Sequence, residues 1–66
     1  MEIIVNGESR RVTEGYTAAR LVEELGLSGR RIAMEVNREI VPRSDYERHV
    51  FDDGDRVELV HAIGGG

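Results

Sequence analysis

The sequence predicts an α+β fold: a mixed sheet of four to five strands with one main helix packed on one face. Three observations carry that expectation. Apolar residues alternate at Ile3 and Val5, at Ile32, Met34 and Val36, and at Val57, Leu59 and Ile63 with His61 in phase, the period of strands that bury one face. One stretch instead sets Ala18, Leu21, Val22 and Leu25 at the i, i+3, i+4, i+7 spacing of a single helical stripe. Asn6-Gly7 follows the first apolar run directly, and Asn-Gly is the strongest short signal for a type I′ hairpin turn because both central residues must accept φ > 0. One amphipathic helix laid across a sheet is the economical way to bury these stripes.

Taken in order, Met1 to Val5 forms the first strand, with Glu2 and Ile4 on the face opposite Ile3 and Val5. Glu8 to Thr13 returns as an edge strand whose clearest core contact is Val12. Gly15 breaks it. Thr17 stands where a helix N-cap belongs, the helix runs from about residue 18 to 25, and Arg20, Glu23 and Glu24 take its wet side. Gly26 is placed to end it in the left-handed region, with Leu27 making the hydrophobic contact that accompanies such a cap. The third strand ends at Asn37, which serves a turn. Glu39 to Val41 forms a short fourth strand that Pro42 confines to an edge or an end. Ser44-Asp45-Tyr46-Glu47 has capping-box spacing and predicts one turn of helix. Asp52-Asp53-Gly54-Asp55 is a turn, and the last strand follows, with Arg56, Glu58, Val60 and Ala62 on its second face.

Sixty-six residues make one domain, near the lower limit for independent folding. With no cysteine, disulfides, thiol nucleophiles and cysteine-bound zinc are all excluded, so stability rests on apolar packing. Nine basic residues, every one arginine, stand against thirteen acidic ones for a net charge of −4. That is the wrong sign for a protein whose partner is a phosphate backbone, and no nucleic acid partner is expected. No apolar run is long enough to cross a bilayer, and Met1-Glu2 lacks the opening of a signal peptide, so no membrane association and a cytoplasmic location are expected.

The chain closes on Gly64-Gly65-Gly66. Alone, a glycine tail is better explained by a frayed or added terminus than by function. Functionally, a carboxylate on a residue without Cβ is open to attack from either side, on a segment able to thread a narrow channel.

The order of elements and the ending coincide with a known family. The opening Met-x-Ile-x-Val-Asn-Gly, the stretch Val36-Asn37-Arg38-Glu39-Ile40-Val41-Pro42-Arg43, the turn Asp53-Gly54-Asp55 followed by Val57-Glu58-Leu59-Val60, and the terminal glycines resemble the ubiquitin-like β-grasp sulfur carriers, most closely the thiamine-biosynthesis (ThiS) family. The resemblance covers essentially the whole chain. It implies a β-grasp domain over residues 1–63 and a flexible glycine tail over 64–66. It also implies that the chain is no enzyme but a protein co-substrate. An adenylating enzyme related to the ubiquitin activators, using ATP, would activate the Gly66 carboxylate. Sulfur from a donor such as a cysteine desulfurase would convert it to a thiocarboxylate, and thiazole synthase would take the sulfur. Gly65 and Gly64 would be the tether, Gly66 is expected to be the true terminus, and no cofactor would be bound permanently. The free protein is expected to be a monomer.

In a β-grasp fold the first and last strands are neighbours. Ile4, Val60 and Ala62 are then expected to form a small exposed apolar patch beside the tail, read as a partner-binding surface. Isolated surface apolar residues are also normal. His49 and His61 have no local metal-binding spacing and read as packing or surface residues, and adjacent Glu23 and Glu24 do not face one another on a helix. Arg10-Arg11 and Arg30-Arg31 either steer an acidic partner surface or balance the acids. Two other functional classes stay open: a carrier for another pathway, such as molybdopterin synthesis, and a ubiquitin-like modifier ending on a target lysine. A plain interaction module is a further alternative.

Overall fold

In the computed structural model, residues 1–61 are described. Strand β1 (Glu2–Val5) turns through Asn6 (φ 49°) and Gly7 (φ 84°) into antiparallel β2 (Glu8–Arg11), with Val5 opposite Glu8. Both turn residues are left-handed, as a type I′ turn demands. The ladder ends at Arg11, two residues short of the expected Thr13, but Val12 is buried and exchanges bonds with Met1 through its N–H (2.9 Å) and its carbonyl (3.0 Å).

Helix α1 spans Ala18–Glu24. Its first turn is satisfied from two directions. The Thr17 hydroxyl accepts the Arg20 N–H at 3.2 Å, while Ala18 and Ala19 donate to the carbonyls of His49 and Tyr46, each at 2.9 Å. At the other end Gly26 (φ 72°) donates to Glu23 and Leu27 to Val22, the paired closure of a Schellman motif. One expectation fails here. Leu25 is 36% exposed and lies outside the core, because it is the helix C-cap and the reversal at Gly26 hands the inward contact to Leu27.

Strands β3 (Ile32–Val36) and β4 (Glu39–Val41) form a second hairpin about Asn37 (φ 52°) and Arg38 (φ 70°). The expected capping box at Ser44 does not form. A 3₁₀ turn occupies Arg43–Asp45 with Pro42 at its N-cap and no side-chain cap; the fixed φ of proline starts the turn two residues earlier. The segment then places Tyr46 and Phe51 in the core beside Tyr16. None of these three aromatic residues belongs to a periodic stripe, and periodicity carries no sign of their burial.

Strand β5 (Arg56–His61) completes a sheet in the order β2-β1-β5-β3-β4, parallel between β1 and β5 and antiparallel elsewhere. Ile3, Val5, Met34, Val36, Val57 and Leu59 from the sheet meet Ala18, Leu21 and Val22 from α1 in one core. The expected α+β architecture is therefore observed, and its last strand is central. His61 keeps its register opposite Ile32 but is exposed, and Ile63, expected to share its face, lies outside the described residues.

Candidate functional site

The strand leading to the glycine segment is held on both sides. Val57, 1% exposed, is the residue of β5 paired with both neighbours, opposite Val5 in β1 and Val36 in β3. On the β3 side the pairing continues to His61, whereas among the described residues the register with β1 covers Arg56 and Val57 and closes with the Asn6 N–H on the Val57 carbonyl. Residues 62–66, and with them Gly64, Gly65, Gly66 and Ala62, lie outside the described residues.

Two asparagine side chains extend the hold on β5. The Asn6 carboxamide accepts the Leu59 N–H at 2.8 Å and donates to the Leu59 carbonyl at 3.3 Å. At the start of the strand the Asn37 carboxamide accepts the Arg56 N–H at 3.0 Å and donates to the Asp55 carboxylate at 2.9 Å, while its own N–H donates to the Arg56 carbonyl at 2.8 Å. Asn37 thus serves the expected turn and the neighbouring strand together. Asn6 reads from sequence only as a turn former. The signal for more is chemical: a primary amide carries a donor and an acceptor side by side, matching the two groups of a peptide.

The face of β5 away from the helix carries Arg56, Glu58 and Val60. Val60 is 59% exposed, as expected, and Ile4 is half-buried on the same face of β1. The two are not register partners, and Ala62, the third residue of the expected patch, lies outside the described residues. Ile4 lies opposite Arg56, four residues before Val60, and lines with Gly7, Arg38, Arg56 and Glu58 an open depression of about 460 Å³. Glu58 stands between the two apolar residues, because alternate residues of β5 share the face. Val60 instead pairs with Ala33. Across the same face Glu35 lies directly opposite Glu58 and also opposite Ile40, which is 71% exposed.

The remaining candidates resolve into structural roles. Glu24, expected to be merely solvated, accepts the Tyr16 hydroxyl at 2.6 Å and pairs with Arg10 (3.4 Å) and Arg20 (3.3 Å). The Tyr16 hydroxyl first, then the arginines, hold its carboxyl below the ordinary carboxylate range. Tyr16 is shifted up, first by burial and then by Glu24. Arg10 is thereby tied to the helix, while Arg43 donates to the Arg30 carbonyl. His49 packs edge-on against Phe51 at 5.4 Å, as a packing residue would, with Nε2 buried and unpartnered. Among the described residues no group of three or more acidic or histidine side chains could hold a metal, and no helix is long and apolar enough to cross a membrane.

Comparison with known proteins adds the family. Residues 3–66 match the ThiS family. The chain is 44% identical over its full length to a thiazole synthase of Paramagnetospirillum magneticum, of which it spans only 20%. It is 33% identical to the sulfur carrier protein ThiS of Escherichia coli with all of both chains covered. Among solved structures, the crystal structure of the thiamine biosynthesis protein ThiS from Geobacter metallireducens superposes with a TM-score of 0.85 at 29% identity, again over all of both chains. With its ubiquitin-like sheet, one α-helix among the described residues, and a match running from Ile3 to Gly66, this chain belongs to the ThiS family.

Proposed function

We propose that this chain is a sulfur carrier of thiamine biosynthesis, a protein co-substrate whose Gly66 carboxylate is adenylated, converted to a thiocarboxylate and used by thiazole synthase. The observation that carries this reading is that the family match runs through residue 66, so the terminal glycines lie inside it.

The chemistry follows from what a carboxylate lacks. It is a poor acyl donor until its oxygen becomes a leaving group. Attack of the Gly66 carboxylate on the α-phosphorus of ATP releases pyrophosphate and gives the acyl-adenylate; the terminal sulfur of a persulfide on the donor then adds to the carbonyl carbon and expels AMP, and a thiol reductant cleaves the S–S bond of the resulting acyl disulfide to free the thiocarboxylate. No general acid or base from the carrier is required. Its body docks and orients, and Gly64 and Gly65 carry the reacting group into the partner's site. With no lysine in the sequence, the activated carbonyl meets no ε-amine of its own chain. The exposed sheet face bearing Ile4 and Val60 is the docking surface in this reading. The partners are an adenylating enzyme, a sulfur donor such as a cysteine desulfurase, and thiazole synthase. For the last, support comes from the thiazole synthases in which a stretch like this chain makes up a fifth of the polypeptide.

The test is intact mass after incubation with ATP, the adenylating enzyme and a sulfur source. Replacement of one oxygen by sulfur, abolished when Gly66 is deleted, is the expected result. Conjugates of higher mass would indicate a protein modifier instead, and an unchanged mass would leave the glycines without this role.

A further inference from the structure

We propose that Asn6 is a positioning residue for the terminal segment: among the described residues its carboxamide is the last rung between β1 and β5, and it sets the course of the strand that leads to the glycines. This rests on the terminal-glycine reading above. Among the described residues the paired positions of the two strands are Ile4 with Arg56 and Val5 with Val57, and the last backbone bond between them runs from the Asn6 N–H to the Val57 carbonyl at 2.9 Å. β1 then turns away through Asn6 and Gly7 in the left-handed region. The β1 side of Leu59 faces this turn, and the Asn6 carboxamide meets both of its backbone groups, at 2.8 and 3.3 Å. The geometry reproduces a peptide–peptide pair with a side chain.

The placement gives this rung a role that the matching contact of Asn37 does not have. Asn37 holds Arg56, at the entry of β5, whereas Asn6 holds Leu59, two residues before the last described residue of the strand. A strand fixed as far as Leu59 presents the following residues from a set origin and in a set direction. Without the rung, the described end of β5 beyond Val57 keeps its pairing with β3 alone, and more backbone must be ordered each time the tail enters a partner's site.

The test compares Asn6→Gly with Asn37→Gly in the full chain. Glycine accepts the left-handed turn conformation at both positions, so each variant deletes a carboxamide and keeps its hairpin. Amide hydrogen exchange by NMR reads the rung, and ATP–pyrophosphate exchange catalysed by the adenylating enzyme, titrated with carrier, reads positioning. In Asn6→Gly the Leu59 amide is expected to exchange faster while Ile3 and Met34 keep their protection. The KM for the carrier is expected to rise roughly tenfold at unchanged kcat, the effect of ordering about one more residue on docking. Asn37→Gly, with a comparable loss of thermal stability, is expected to leave KM within roughly twofold of the parent, since the segment after Leu59 keeps its rung. Unchanged Leu59 protection in Asn6→Gly would overturn the rung. An unchanged KM, or an equal rise in Asn37→Gly, would overturn the positioning role while leaving the carrier reading intact. Absence of exchange activity with the parent chain would remove the carrier reading, and the positioning role with it.

Discussion

Leu21 and Leu25 are the same residue type on the same stripe of one short helix, yet their truncation is expected to have very different consequences. Leu21 is fully buried between α1 and the sheet; Leu25 is the C-cap and 36% exposed. Leu21→Ala removes three carbon groups, a transfer loss of about 2.4 kcal/mol at ~0.8 per methylene. The cavity left behind raises the total to about 3–5 kcal/mol. A 66-residue domain has roughly 3–10 kcal/mol of stability at its disposal, and no disulfide reinforces this one. Leu21→Ala is therefore expected to leave a large unfolded fraction at 37 °C, whereas Leu25→Ala costs about 1 kcal/mol or less. Urea unfolding followed by far-ultraviolet circular dichroism, with the slope m compared between variants, measures both. Equal costs, or a cost below about 1.5 kcal/mol for Leu21→Ala at unchanged m, would refute the picture of one core closed by this helix.

Three further outcomes are expected. Glu24 ionises below its ordinary 4.5 in the folded state, chiefly through the Tyr16 hydroxyl, so its contribution is present above pH 4.5 and lost as pH falls through the lower folded value. Tyr16→Phe should flatten that acid limb, and it also removes a phenol whose raised pKa stabilises the fold below pH 10.0 and ceases to do so as pH rises through the folded value; a parent-like pH profile of thermal stability would argue against the contact. Glu58→Gln should stabilise the domain by about 0.2–1 kcal/mol by relieving the like charge opposite Glu35, with a smaller gain at high salt; a loss of stability would show that the facing carboxylates are otherwise compensated. Val60→Asp and Ile4→Asp should each fold normally and slow adenylation, and parent-like rates with both would remove the docking role of that face.

Much of the fold was legible because its elements are periodic. Ile3 and Val5, Met34 and Val36, and Val57 and Leu59 are buried as their alternation predicts, and Thr17 and Gly26 bound the helix where their chemistry places them. What periodicity does not carry was missed. Tyr16, Tyr46 and Phe51 are drawn into the core by a loop whose carbonyls also serve the start of α1, a contact no local pattern encodes. Leu25 was misplaced because a helical stripe says nothing about the residue at which the helix stops. On the candidate site, Val60 was correctly set on the exposed face, but its separation from Ile4 depends on the register of β1 against β5, which alternation leaves open. Asn6 and Asn37 were visible only as turn residues, since the partner of a side-chain amide is a matter of topology.

The central place of β5 bears on how the chain comes to be folded. The two hairpins, β1 with β2 and β3 with β4, precede it in sequence but have no ladder with each other; β5 is the only strand that joins them among the described residues. Isolated two-stranded hairpins are marginal in water, and α1 depends at its first turn on carbonyls at Tyr46 and His49. A nascent or cleaved chain that stops before Arg56 therefore holds two unsupported ribbons with open edges, a form suited to degradation or aggregation rather than docking. The topology thus makes folding late: the two hairpins join into one sheet only once the chain has received the strand that leads to its glycines.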